Sequence, residues 1–280
     1  MAEIIVADEA GACFGVERAL RMVQDAARET SGHLYTLGPL IHNPKVVREL
    51  EDLGVSVVES PEVEPGATLV LRTHGVTPAV ERAALDAGAS VMDATCPFVK
   101  RAHRAAERLV REGYQVIVVG EPGHPEVEGT VGHAPDALTI ASPEEVPTHD
   151  YARKVGVVVQ TTMARATLRA IVSELVGRVD ELRLIDTVCE ATSGHQGACA
   201  RLAGTVDVMV VVGGKNSANT THLAEISREH CSQTYHIEEA SELEASWFDG
   251  AERIGITAGA STPAAQIEAV RAAIEAIMEP

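Results

Sequence analysis

Residues 114–124, YQVIVVGEPGH, and residues 206–219, VDVMVVVGGKNSAN, share one pattern: a short β-branched run that ends in a glycine-containing polar loop. Four further runs end in a similar way, and they are HLYTLGPLIHN (33–43), ATLVLRTHGV (67–76), KVGVVVQTTM (154–163) and ERIGITAGAST (252–262). Short apolar runs that alternate with helical stretches are typical of parallel strands joined by crossover helices. The sequence therefore predicts an α/β fold with mainly parallel sheets.

Three of the five cysteines, Cys13, Cys96 and Cys189, divide the six runs into pairs. Each of these cysteines precedes a predicted helix, and the first two helices have apolar residues at helical spacing. The third helix is weakened by Gly194 and Gly197. Two runs for each cysteine predict a threefold internal repeat. We expect three similar domains at residues 1–95, 96–187 and 188–280.

The three thiols form a candidate metal site, because the positive end of a helix dipole favours the thiolate that binds metal. A structural zinc site usually has four ligands, often in CxxC pairs, and no CxxC is present. Thiolates also hold iron–sulfur clusters, and three of them leave one iron without a protein ligand. The spacing of these three residues alone would also fit ordinary buried cysteines. We interpret the other two, Cys199 and Cys231, as structural thiols of that kind.

Composition limits the possible classes of function. The net charge of −18 argues against a protein that binds nucleic acid or an acidic membrane surface. No segment resembles a signal peptide or a membrane span, so we expect a cytoplasmic protein. In that reducing compartment, cysteines serve metal binding or catalysis more often than disulfides.

Polar side chains follow the six runs at the points where strands would end. Ligands of open parallel α/β sheets bind beyond the carboxyl ends of the strands, so these loops are expected to form one cavity. Its candidate residues are His42, His74, His124, Glu126, Thr161, Ser217, Asn219 and Ser261. Histidines, hydroxyls and helix-start N–H groups can all donate to phosphate oxygens. Glu126 is a candidate proton donor, because desolvation and a nearby diphosphate would raise its pKa, whereas we interpret Glu128 as an exposed residue.

In combination, the motifs of this chain resemble those of the LytB family. They occur in order over nearly the whole chain, as CFGVERAL, LGPLIHNPKVVRELEDLGV, RTHGV, DATCPFVKRAH, GHPEVEGTVGH, QTT, DTVC, GGKNSANT and GITAGASTP. The resemblance implies a pseudo-threefold trefoil of three α/β domains around a central 4Fe-4S cluster. By motif, Cys13, Cys96 and Cys189 would hold the cluster and leave one iron open.

The resemblance also implies a reaction and residue roles. The reaction is the reductive dehydroxylation of 4-hydroxy-3-methylbut-2-enyl diphosphate to isopentenyl diphosphate and dimethylallyl diphosphate, the last step of the non-mevalonate isoprenoid pathway. Glu126, Thr161 and His124 match the catalytic positions. The substrate-binding positions correspond to His42, His74, His124, Thr161, Ser217, Ala218, Asn219 and Ser261. No flavin or nicotinamide fingerprint is present, so an external donor such as ferredoxin or flavodoxin would supply electrons.

Two positions depart from the family pattern. Ala218 stands where the family often has a second serine, and loss of that hydroxyl would cost about 0.5–1.5 kcal/mol. His195 stands where the arginine of an Arg-Gln pair is common. These departures leave open a divergent iron–sulfur enzyme of the same fold that acts on another small diphosphate or unsaturated substrate. A further alternative is a zinc protein, either a phosphate-ester hydrolase or a structural binding protein.

Overall fold

The structure is a computed structural model that describes residues 2–30 and 32–279. Twelve strands and nine α-helices form within these residues. The strands are β1 (Glu3–Val6), β2 (Leu34–Leu37), β3 (Val55–Val58), β4 (Thr68–Leu71), β5 (Ser90–Asp93), β6 (Gln115–Val119), β7 (Leu138–Ile140), β8 (Lys154–Val159), β9 (Glu181–Leu184), β10 (Val208–Val212), β11 (Thr234–Ile237) and β12 (Arg253–Ala258). The helices are α1 (Phe14–Glu29), α2 (Pro44–Asp52), α3 (Pro78–Asp86), α4 (Pro97–Arg111), α5 (Pro125–Gly132), α6 (Arg165–Val176), α7 (Glu190–Ala203), α8 (Ala218–His230) and α9 (Ala264–Met278).

The strands form three four-stranded sheets in which all neighbouring strands are parallel. Their orders are β3-β2-β4-β5, β7-β6-β8-β9 and β11-β10-β12-β1. These sheets, with their crossover helices, confirm the predicted α/β fold class.

The three sheets share one pattern of connections. In each, the chain passes from one inner strand through a helix to one edge strand and then returns to the second inner strand, whose other neighbour is the second edge strand. In the first two sheets this second edge strand comes last, whereas in the third it is β1, which precedes the other three strands in the chain. Strand β1 pairs with β12, and Glu3 lies opposite Arg253. Each candidate cysteine therefore follows the second edge strand of a sheet and precedes a helix, as a threefold repeat requires.

The six inner strands are the six runs that the sequence predicts. Strand β10 is buried at all five residues, and such strands have continuous apolar sequences because both faces are covered. Inner residues Val210 and Ile256 pack with Val270 and Ile274 of α9. Edge strand β9, by contrast, has the sequence ELRL and is partly exposed, so it lacks that pattern.

The third cysteine is followed by a continuous helix, α7, despite its two glycines. Gly194 lies against the carboxylate of Glu9, and a Cβ at this position would overlap with those oxygens. Gly194 is therefore needed for close packing, which explains a residue that otherwise weakens a helix.

The described residues divide into two compact units. The first unit includes the described residues within 1–16, 42–45 and 190–280. The second includes those of 17–41 and 46–189. The first unit contains the third sheet, and the second unit contains the other two. The three domain boundaries and the trefoil arrangement stay predictions. No helix among the described residues is both long and apolar enough to span a membrane.

Candidate active site

The three candidate cysteines have equivalent backbone positions. Each donates its N–H to a carbonyl two residues beyond the end of an inner strand. The hydrogen bonds run from Cys13 to Ala260 at 3.0 Å, from Cys96 to Thr73 at 3.0 Å and from Cys189 to Thr161 at 3.1 Å. This repeated anchor fixes each thiol at a helix start beside the loop of its neighbouring inner strand.

The five cysteines fall into two classes, and none forms a disulfide within the described part of the chain. Cys13, Cys96 and Cys189 are partly exposed, whereas Cys199 and Cys231 are buried. The Cys199 thiol lies 3.0 Å from the Ser227 hydroxyl, and burial raises the pKa of this thiol. These environments fit three thiols available to a ligand and two thiols with structural roles.

No group of three or more His, Cys, Asp or Glu residues in the described chain is placed to hold a single metal ion. Cys13 belongs to the first unit, and Cys96 and Cys189 belong to the second. Their joint role as cluster ligands stays a prediction.

The predicted polar residues also occupy equivalent places in the three sheets. The fifth residue after β2, β6 and β10 is His42, His124 and Ser217, respectively. The third residue after β4 and β12 is His74 and Ser261, respectively. The sequence positions that resemble diphosphate-binding residues are thus related by the repeat itself.

Glu126 is the buried acid of the second unit, with only 2% of its surface exposed. It lies in the first turn of α5, which begins at Pro125. Thr161 donates to both carboxylate oxygens, from its N–H at 2.6 Å and from its hydroxyl at 2.7 Å. Burial raises the pKa of Glu126 to about 7, although these two hydrogen bonds favour the charged form and oppose the shift. Glu126 can therefore hold a proton at neutral pH, whereas Glu128 is exposed as expected.

His124 is the N-cap residue of α5 and lies beside Glu126. Its Nδ1 accepts the Glu126 N–H at 3.1 Å, so the neutral ring carries its proton on Nε2. The His74 ring meets the His124 ring edge-on, with the ring centroids 5.7 Å apart. The structure thus brings His74, His124, Glu126 and Thr161 together in the second unit.

The loop after His74 depends on a glycine. Gly75 has a φ of +74°, and an added Cβ would lie 2.5 Å from Cε1 of His103. His103 is buried in α4 and stacks on His133 at 4.2 Å, and burial lowers its pKa to about 4. A neutral imidazole therefore supports the loop that presents His74.

The first unit brings the remaining candidate residues together. The Ser261 hydroxyl donates to the His42 carbonyl at 3.2 Å. Gly214 approaches the same carbonyl so closely that a Cβ would lie 2.5 Å from its oxygen. Ser217 is the N-cap residue of α8, and its hydroxyl oxygen accepts the Thr220 N–H at 3.4 Å, which leaves its proton available for donation.

Asn219 is 4% exposed, and neither its amide nitrogen nor its amide oxygen has a hydrogen-bond partner among the described residues. Such buried amides are rare because their desolvation is costly, and ligands commonly satisfy them. Ala218 is the first residue of α8, where a backbone N–H has no acceptor within the helix. Both residues therefore fit a ligand with polar oxygens.

Sequence reasoning did not identify two buried amides that support these loops. Asn43 donates to the Ser261 carbonyl at 2.9 Å and to the Gln266 side chain at 3.1 Å. Gln160 accepts the Glu121 N–H at 2.9 Å and donates to the Thr162 hydroxyl at 2.9 Å. Their position beside candidate residues, in LIHNP and QTT, is the only sequence signal that could have revealed them.

His195, the second departure from the family pattern, lies within α7 and is buried. Burial lowers the pKa of its imidazole, an effect that nearby Glu9 opposes. Its Nδ1 has no hydrogen-bond partner within the described chain. The residue is thus part of the packing around α7.

A model of the LytB protein family matches residues 4–275. The chain belongs to the LytB family. This membership confirms the resemblance inferred from the motifs.

LytB relatives are also similar over nearly their full length. A protein of Aquifex aeolicus is 44% identical over 283 residues, which cover 100% of this chain and 98% of the relative. One of Geobacter sulfurreducens is 48% identical, with 99% and 97% covered. Both relatives are named 4-hydroxy-3-methylbut-2-enyl diphosphate reductase.

Two solved structures are similar to this LytB chain. One is described as (E)-4-hydroxy-3-methyl-but-2-enyl diphosphate reductase, the terminal enzyme of the non-mevalonate pathway. It has a TM-score of 0.74 and 44% identity, and the match covers 99% of this chain and 100% of that one. The other, a reductase from Plasmodium falciparum, has a TM-score of 0.91 and 26% identity, with 95% and 86% covered.

Proposed function

We propose that this LytB protein reduces 4-hydroxy-3-methylbut-2-enyl diphosphate to isopentenyl diphosphate and dimethylallyl diphosphate in the cytoplasm. The names of its full-length relatives support this substrate. Replacing the C–OH bond by C–H consumes two electrons and two protons and releases one water. The reaction therefore needs a proton donor that is protonated near neutral pH.

The observation that carries the proposal is the buried Glu126 carboxyl, held by Thr161 and with a pKa of about 7. A general acid is most effective when its pKa lies near the working pH, and an ordinary glutamate would be almost fully ionised there. We assign proton delivery to Glu126, with Thr161 fixing its orientation and His124 lying at the helix start beside it. Diphosphate binding is assigned to the side chains of His42, His74, His124, Thr161, Ser217, Asn219 and Ser261 and to the backbone N–H of Ala218.

The donor set fits the cofactor that the LytB family resemblance implies. Three partly exposed thiols, each at a helix start, suit thiolate ligation, and Cys13, Cys96 and Cys189 would hold a 4Fe-4S cluster. When bound, such a cluster with one open iron supplies Lewis-acid and one-electron chemistry. The residues above position the diphosphate, and binding energy from that remote group orients the C–O bond. An external ferredoxin or flavodoxin is the proposed source of electrons.

The test begins with protein purified without oxygen. Its visible spectrum, iron and sulfide are measured, and it is then given the hydroxylated diphosphate and a chemical reductant. We expect a coloured protein with four irons per chain and both C5 diphosphate products. An intact cluster without turnover would refute the proposed reaction, and zinc in place of iron would also refute the cofactor.

A further inference from the structure

Helix α4, which follows Cys96, has a concentration of positive charge that is unusual in this acidic chain. It contains five basic residues and one acidic residue, whereas the whole protein has a net charge of −18. The basic residues are Lys100, Arg101, Arg104, Arg108 and Arg111. The helices after the other two cysteines are balanced: α1 has three residues of each sign, and α7 has one arginine and one glutamate. Positive charge thus distinguishes one of three equivalent helices.

Four arginines form one exposed stripe, which we call the arginine face: Arg101, Arg104, Arg108 and Arg111. Their spacing of three, four and three residues places them on the same side of a helix. The opposite side is buried, and Ala106 and Leu109 pack against Val118 and Val158 of the second sheet. At 1.5 Å per residue, the arginine face is about 15 Å long.

The beginning of the arginine face lies at two of the thiol-bearing loops. Cys96 is the N-cap residue of α4, about 7 Å along the helix axis from Arg101. Arg101 donates to the carbonyl of Asp186 at 3.3 Å, three residues before Cys189. Arg165 forms an ion pair with the same aspartate at 2.6 Å. A protein bound here would therefore reach the region that carries Cys96 and Cys189.

Two of the four arginines on this face are available to a partner. Arg104 and Arg111 have no ion pair with any residue in the described chain. Arg108 contacts Glu112 at 2.8 Å but shares that carboxylate with Arg183. The carboxylate of Glu107, the single acidic residue of α4, lies 2.8 Å from Nδ1 of His133.

We propose that the arginine face is the docking surface for the electron donor, and that this donor is a small redox protein with an acidic surface around its redox centre. The inference rests on the proposed function. Opposite charges steer association, and the negative charge of the remaining surface would repel an acidic donor from other orientations. Two reduced donor molecules would each lose one electron for every substrate molecule reduced.

The experiment compares three forms of the cluster-loaded enzyme: wild type, Arg104→Gln/Arg111→Gln, and the control Arg21→Gln/Arg28→Gln. The control removes the same charge from exposed positions of α1, and glutamine is a good helix former at all four sites. Turnover is measured with a reduced acidic [2Fe-2S] ferredoxin and, separately, with reduced methyl viologen. We expect the α4 double variant to raise KM for ferredoxin about 3- to 30-fold, whereas methyl viologen turnover stays unchanged.

Salt supplies a second readout. Ferredoxin-driven turnover by the wild type and the α1 control should slow as ionic strength rises, and the α4 variant should lose most of this dependence. The docking proposal would be overturned if the KM for ferredoxin were unchanged in the α4 variant, or if it rose equally in the α1 control. In either case, turnover with methyl viologen would still support the proposed reductase activity. A wild type that is inactive with methyl viologen would refute both.

Discussion

Replacing Glu126 with glutamine removes a titratable proton while preserving the shape of the side chain. In the wild type, Thr161 donates from its N–H and hydroxyl to the two carboxylate oxygens. The amide oxygen of glutamine can still accept the Thr161 N–H. Its NH2 group can donate to the Thr161 hydroxyl, which reverses the direction of the other hydrogen bond. We therefore expect Glu126→Gln to fold and to bind the diphosphate, but to lack the proton.

Burial of the Glu126 carboxyl determines how much of it is protonated near neutral pH. With a pKa of about 7, Glu126 is about 90% protonated at pH 6, compared with about 3% for a glutamate of ordinary pKa 4.5. The rise in the pKa of Glu126 from 4.5 to about 7 corresponds to a free energy of about 3 kcal/mol. Because the folded state holds the proton more tightly, the contribution of Glu126 to stability is lost as pH rises from 4.5 through about 7.

Infrared titration of the cluster-loaded enzyme measures this proton directly. Wild type and the control Glu128→Gln should show a protonated-carboxyl band that disappears with a midpoint near pH 7, and Glu126→Gln should lack it. Turnover by Glu126→Gln should fall about 10²- to 10⁴-fold with little change in KM. Ionisation of the wild-type carboxyl at the pH of an ordinary glutamate, or full turnover by Glu126→Gln, would refute this reasoning.

Three further substitutions test other parts of the site. Cys96→Ser should lose the visible absorption of the cluster, whereas the buried Cys199→Ser should retain it; equal spectra would remove Cys96 from the ligand set. Asn219→Ala should weaken diphosphate affinity about tenfold by isothermal titration without lowering the unfolding temperature, because it removes an unsatisfied buried amide; a lower unfolding temperature would indicate a structural role instead. Gly75→Ala should destabilise the protein by about 2 kcal/mol or more in thermal unfolding. The control Gly66→Ala also has a positive φ but meets no atom within 4 Å, so an equal loss there would exclude a steric cause at Gly75.

Much of the fold could be predicted from the sequence because inner parallel strands are covered on both faces. Strand β10, with its run of buried apolar residues, has the strongest such pattern. Edge strands could not be identified in this way, since β9 alternates charged and apolar residues and is partly exposed. The pairing of β1 with β12 was also beyond prediction, because 250 residues separate partners such as Glu3 and Arg253.

The candidate residues could be predicted because they follow these inner strands. The sequence could not indicate how they are supported, however, because support comes from residues distant in the chain. Gly194 weakens a helix by local propensity, yet Glu9 explains its presence. The acidity of Glu126 likewise depends on burial and on Thr161, 35 residues away.

The position of β1 has a consequence for the order of biosynthesis. The partner of this strand, β12, is made about 250 residues later, which takes roughly 12 to 50 s at common rates of translation. The backbone hydrogen bond of Cys13 has the same delay, because its acceptor is Ala260. A cofactor that needs all three anchored thiols would thus enter only after β12 and Ala260 have been made. Insertion of the cofactor would therefore depend on synthesis of the third sheet.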